Sequence, residues 1–165
     1  MNSHKKISFN CRPDDDSKVI FEEVCRQIGL YYKDKENFKS LKRKLRWQND
    51  VVQLEFGFWS SHSNMRGDWV SFEIVPSIYA LDNSGMEKNG LVYTLRKPIN
   101  FNVCHIDSEL FYKIIEAIEK EIEFAQKICI KEGFSDFLEE NKNRNFIAKE
   151  NNNLIFMEKL SKQID

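Results

Sequence analysis

Ser60-Ser61-His62-Ser63-Asn64 and Asp68 place serine, histidine and aspartate within nine residues. These are the side chains nucleophilic hydrolysis uses: a hydroxyl to attack, an imidazole to take its proton and a carboxylate to orient the imidazole. A triad is defined by geometry and not by spacing, and no nucleophile-elbow motif frames any of the three serines. A polar loop between two strands explains the same residues, so both readings stand at this point. The other two histidines are plainer. His105 closes a strand pattern, where a structural role is expected. His4 lies within residues 1–8, a terminus expected to be flexible.

Metal and phosphate chemistry finds less to work with. The sequence has no H-x-x-x-H, no H-E-x-x-H and no calcium-loop spacing, and its four cysteines, Cys11, Cys25, Cys104 and Cys129, form no C-x-x-C pair. Its six glycines are scattered, without a G-x-G-x-x-G or a Walker loop. No metal or nucleotide cofactor is expected, and the cysteines are expected as free thiols in or near the core.

Binding chemistry has two candidates. Lys33, Lys35, Lys39, Lys42, Arg43, Lys44 and Arg46 form a basic stretch that could neutralise phosphates. The formal net charge of −1 argues against nucleic acid as the partner of the whole chain. Lys42, Lys44 and Arg46 share one parity of a strand pattern. Glu55 and Glu73 on the following strands share that face, so cross-strand pairs would neutralise it. The second candidate is aromatic. Trp59, Trp69 and Tyr79 fall on the same polar parity as Glu55 and Glu73, with His62 and Arg66 in the loop between. Tryptophan and tyrosine on a polar face are what protein-binding hot spots use. A slip of parity at Gly57 or Pro76 would instead return these rings to the core.

The elements that must position these side chains follow from periodicity. Asp14-Asp15-Asp16-Ser17 offers N-cap candidates, and Ile20, Phe21, Val24, Cys25 and Ile28 make one helical face, with Gly29 expected to stop the helix. The period then changes to two. Leu41, Leu45 and Trp47 alternate with the basic residues. After a turn at Asn49-Asp50, Val52, Leu54, Phe56 and Phe58 alternate with Gln53, Glu55 and Gly57. Val70, Phe72, Ile74 and Ile78 form a third alternating run, in which Pro76 predicts a bulge or an edge position. Shorter strands are predicted around Leu91–Leu95 and Ile99–His105.

Asp107 or Ser108 caps a long amphipathic helix carrying Leu110, Phe111, Ile114, Ile115, Ile118, Ile122, Ala125 and Cys129, which Gly133 is expected to end. The remaining tail reads as two short helices around Asn151–Asn153. Clean alternation means one dry face and one wet face. The expected fold is α+β: residues 1–165 as one domain, with a curved antiparallel sheet of about five strands covered on one face by the N-terminal helix, the long helix and the short C-terminal helices. No apolar run is long enough for a bilayer and no signal-peptide pattern opens the chain, so a cytoplasmic protein without membrane contact is expected.

The strand text Val51-Val52-Gln53-Leu54-Glu55-Phe56-Gly57-Phe58-Trp59-Ser60-Ser61, followed by Trp69-Val70-Ser71-Phe72-Glu73-Ile74 behind a first helix, resembles a family of small bacterial domains of unknown function. The resemblance spans residues 18–105. Members of that family and similar stand-alone domains occur as immunity proteins of polymorphic-toxin and contact-dependent inhibition systems. The resemblance therefore implies a non-enzymatic cytoplasmic protein that binds and blocks one cognate toxin domain; it carries over no catalytic residue. A basic toxin would suit the acidic helix face with Glu109, Glu116, Glu119 and Glu123, and an acidic one the strand face with Lys42, Lys44 and Arg46. A small hydrolase using the His62 loop and a nucleic-acid-binding domain using Lys39–Arg46 are the alternatives.

Overall fold

The computed structural model describes residues 4–81, 87–93, 97–141, 160–162 and 164, with backbone alone for 87–93, 138, 140 and 141. The chain runs from helix α1 (Ser17–Tyr32) through strands β1 (Phe38–Leu41), β2 (Lys44–Gln48), β3 (Val52–Trp59), β4 (Ser71–Leu81), β5 (Glu87–Tyr93) and β6 (Ile99–Asn102) to helices α2 (Ser108–Ile128) and α3 (Lys131–Asn141). All strand pairs are antiparallel, in the order β1-β2-β3-β4-β5, and β6 also pairs with β4. Six strands thus make a sheet five positions wide, because β6 lies against Ser71–Ile74 and β5 against Ile78–Leu81 of the same strand. The fold is α+β, as the periodicities predict.

The dry face holds Leu45, Trp47, Leu54, Phe56, Phe58, Phe72, Ile74 and Ile78, all buried in one cluster with Ile20, Phe21, Val24 and Ile28 of α1 and Phe111, Ile114, Ile118 and Ile122 of α2. Phe72 stands 5.4 Å from Phe21 and 5.2 Å from Phe58, so an aromatic contact joins helix to sheet at the centre. Leu160 returns the chain's end to this core. Asp107 caps α2 by accepting the Leu110 N–H at 2.8 Å. Asn49 builds the β2–β3 turn by accepting the Val51 and Val52 N–H groups, both at 2.8 Å.

Several expectations are corrected. The basic stretch is a hairpin and not a single strand: Leu41 pairs with Lys44, so Lys42 and Arg43 are its turn, and Leu41 is exposed instead of buried. Gly29 does not end α1, which continues to Tyr32. It admits β1 instead, since a Cβ there would stand 2.7 Å from Ser40 Oγ. Gly133 likewise lies inside α3, where a methyl would fall on the Lys127 carbonyl, while α2 stops at Ile128 with Cys129 as its cap. Both glycines serve close approach, a use local sequence shares with capping. Glu121, a charged residue of α2, is buried. The strand expected over Ile99–His105 ends at Asn102, and His105 is exposed beyond it.

Pro76 causes no slip against β3, pairing with Phe56 in an unbroken register. On its other side, no described residue pairs with β4 between the β6 and β5 pairings. Among the described residues, the register shifts against β5, between Tyr79 and Leu81. Of the expected tail helices, α3 is described; Phe146, Ile147, Asn151–Asn153, Leu154, Ile155 and Phe156 lie outside the described residues, as does Leu95.

Residues 4–8, though mostly exposed, are fastened to α2. Ile7 N–H donates to Ser108 Oγ at 2.8 Å, Tyr112 Oη donates to the Lys5 carbonyl at 2.9 Å, and His4 stacks on Tyr112 with ring centres 4.1 Å apart. Glu23 fastens the next stretch. Its buried carboxylate accepts from Asn10 N, the Arg26 guanidinium and Gln27 Nε2, at 3.0, 2.8 and 3.0 Å. Burial alone would raise this carboxyl; the Arg26, Asn10 and Gln27 hydrogen bonds outweigh it and hold it below its ordinary 4.5. A depressed carboxyl contributes stability that is complete above 4.5 and is lost as pH falls through its folded value. Glu23→Gln is therefore expected to melt below wild type at neutral pH, with the gap closing as pH falls through this range. A gap independent of pH, measured by thermal melts, would contradict the role given to the carboxylate.

Candidate functional site

In an antiparallel pair, directly opposed residues share a face. The β2–β3–β4 register therefore lays out the open side of the sheet in rows: Arg46, Glu55 and Ser77; Lys44, Gly57 and Val75; then Trp59 beside Glu73 and Asn100. Tyr79 sits on the same face opposite Gln53, half-buried. No helix among the described residues covers the rows from Lys44 to Trp59.

Charge on this face is cross-linked. Glu55 accepts from Lys44 Nζ at 3.1 Å with one oxygen and from Arg46 Nη2 at 3.2 Å with the other. Lys44 is half exposed, so its pair contributes little, ~0.2–1 kcal/mol at most. Its effect is to fix both cations over the sheet. Among the described residues Arg46 Nε is buried without a hydrogen-bond partner, while its Nη2 donates to Glu55. Arg43, in the hairpin turn, pairs with Glu22 of α1 at 3.3 Å.

Trp59 is the outlier. It is 63 % exposed, yet its indole is not splayed into solvent: Nε1 lies 3.0 Å from where a Gly57 Cβ would be. Gly57 leaves the sheet bare at that point, and the ring lies back along its own strand. With Val75, Lys44, Glu55 and Ser77 it lines a groove of about 380 Å³. The Trp59 ring thus lies along Gly57 on the open side of the sheet, beside the paired charges of Lys44, Glu55 and Arg46.

The expected site residues divide. The sheet face collects Lys44, Arg46, Glu55, Trp59, Glu73 and Tyr79. Lys42 is set apart in the hairpin turn. Trp69 is not on the sheet: it closes a small loop by exchanging hydrogen bonds with Met65, and is 44 % exposed. Gly67 in that loop takes a φ of +78°. Arg66 donates its Nε–H to the Asp14 carbonyl and ties the loop to the entry of α1.

His62 is exposed, and among the described residues it hydrogen-bonds neither a serine nor Asp68. Ser60 Oγ donates to the Ser71 carbonyl at 3.0 Å, Ser61 Oγ accepts from Ser63 N, and Asn64 bridges Ser60 Oγ to Ser71 N. The hydroxyls of Ser60 and Ser61 are thus engaged by the loop and by Ser71, away from His62. Gly57, Val75 and Arg43 are the groove residues that periodicity did not single out. Glycine at an outward position two residues before a tryptophan was the available signal.

Other chemistries find no constellation among the described residues. No group of three or more His, Cys, Asp or Glu side chains is placed to hold a metal, and no helix is long and apolar enough to cross a membrane. Burial raises all four thiols, Cys25 to about 12. None is an activated thiolate. The native chain should therefore label slowly at all four cysteines with iodoacetamide at mildly alkaline pH, and quickly at all four in denaturant. One cysteine reacting in the native state faster than free cysteine would contradict this. No protein-family model, curated protein or solved structure matches the chain.

Proposed function

We propose that this chain is a non-enzymatic protein-binding module, an immunity-type inhibitor that captures and neutralises a cognate toxin domain in the cytoplasm. The observation that carries the protein-binding reading is Trp59: a tryptophan 63 % exposed, packed over Gly57 and flanked by the Lys44–Glu55–Arg46 pairs. A tryptophan loses few rotatable bonds on binding, and a partner that covers it buries its exposed apolar area. The surrounding charges are fixed by their own pairs. They would set orientation and exclude wrong partners more than they would add affinity.

The toxin-neutralising part of the reading rests on the likeness of the strand text to immunity-type domains and on a scaffold in which the Ser60 and Ser61 hydroxyls and the Cys104 and Cys129 thiols hydrogen-bond internally. An inhibitor of this kind needs a stable surface and no chemistry of its own. The test is calorimetric titration with the toxin-type domain encoded beside the gene. One-to-one nanomolar binding is expected, weakened at least about tenfold, or about 1.4 kcal/mol, by Trp59→Ala. Absence of binding would remove the inhibitor reading. Tight binding unchanged by Trp59→Ala would keep the partner and reject the face.

A further inference from the structure

Helix α1 and strand β1 touch at Gly29 and then part. Glycine inside a helix costs about 1 kcal/mol relative to alanine, and here it lets Ser40 come within 2.7 Å of the missing Cβ. Beside that contact the two elements enclose a groove of about 530 Å³, floored by Cys25, Gly29 and Ser40. Its walls carry Leu30 from the helix and Leu41 from the strand, 52 % and 37 % exposed. Two leucines from different elements that leave this much surface bare across a shared groove make a seat for one apolar side chain.

The rim is basic. Arg26, Lys33 and Lys42 line the groove, against the single carboxylate of Glu22, which Arg43 already engages. Arg26 is held by Glu23, whereas Lys33 and Lys42 are exposed and carry no ion pair among the described residues. The unmet charge is positive at both ends of an apolar slot, so the complementary occupant is negative at its edges and apolar at its centre. Single-stranded nucleic acid would want aromatic platforms, and these walls are aliphatic.

We propose that the α1–β1 groove receives an acidic amphipathic segment of a partner protein, one apolar side chain lying between Leu30 and Leu41 and carboxylates meeting Lys33 and Lys42. The proposal rests on the reading of the chain as a protein-binding module, but not on the sheet face as its site. The hairpin turn, Lys42-Arg43, stands between the two grooves, so one partner could engage both.

Amide NMR of the full chain, titrated with a capped peptide of glutamates interrupted by leucines, tests it. The amides of Gly29–Lys33 and Ser40–Lys42 are expected to shift, while those of Gly57 and Trp59 stay in place. Lys42→Glu, and separately Leu30→Ser, should each weaken the response about tenfold. The same peptide with lysine for glutamate should not bind. No shift at these amides, or shifts undiminished in both variants, would overturn the proposal. So would an equal response to the lysine peptide. An oligothymidylate that moved the same amides more strongly would overturn it in favour of nucleic acid. Failure here together with a Trp59-dependent partner would leave the sheet-face reading intact, and the reverse result would separate the two the other way.

Discussion

The unbroken register of β3 on β4, from Val52 opposite Ala80 to Trp59 opposite Glu73, is the constraint on which the rest depends. Side chains alternate along a strand, so a slip of one residue at Gly57 or Pro76 would exchange the two faces beyond it. Trp59 and Tyr79 would turn into the core, and Phe58 and Ile78 would be pushed out. The chain avoids this because Phe56, Phe58, Phe72 and Ile74 are fully committed to the dry side, against Phe21 and the α2 stripe. Moving that set outward would forfeit roughly 1.5–3 kcal/mol for each large side chain exposed. Pro76 stands opposite Phe56 without interrupting this register. A dry face that cannot slip thus holds Trp59 outside.

Much of this was legible in the residues. The alternation from Val52 to Phe58 and from Val70 to Ile78, the α2 stripe and the Asp107 cap all follow from local chemistry and appear where expected. What local sequence hid was contact between distant parts of the chain. Gly29 and Gly133 look like helix stops, and only the positions of Ser40 and the Lys127 carbonyl show that they admit a neighbour. The basic stretch looked like one strand because a two-residue turn at Lys42-Arg43 has none of the Asn-Gly chemistry that marks a tight hairpin. For Glu23, Arg26 is a local partner three residues on along α1, but the Asn10 N–H reaches it only when the N-terminal segment returns across the helix.

The candidate site was half legible for the same reason. Parity placed Glu55, Trp59, Glu73 and Tyr79 on one face, and the Lys44–Glu55–Arg46 pairs join as cross-strand neighbours should. Trp69 and Lys42 were misplaced because each lies a residue or two beyond its strand, where alternation ceases to report direction. The His62 loop shows the limit of composition most sharply. Three serines, a histidine and an aspartate are present, and the hydroxyls of Ser60 and Ser61 bond within the loop and to Ser71. The two grooves flanking the Lys42-Arg43 turn could not be found in sequence at all, since their walls come from α1, β1, β3 and β4 together.

The central claim is that the strand register keeps one tryptophan inside and presents another on the open face. Fluorine NMR of the chain labelled with 5-fluorotryptophan, compared in light and heavy water, tests it most directly. With Trp47 4 % exposed, Trp59 63 % and Trp69 44 %, two resonances should show a solvent isotope shift and one should not, with Trp59→Phe removing the most responsive. A Trp59 resonance as insensitive to solvent as that of Trp47 would place its ring in the core, and the docking face would not exist as described.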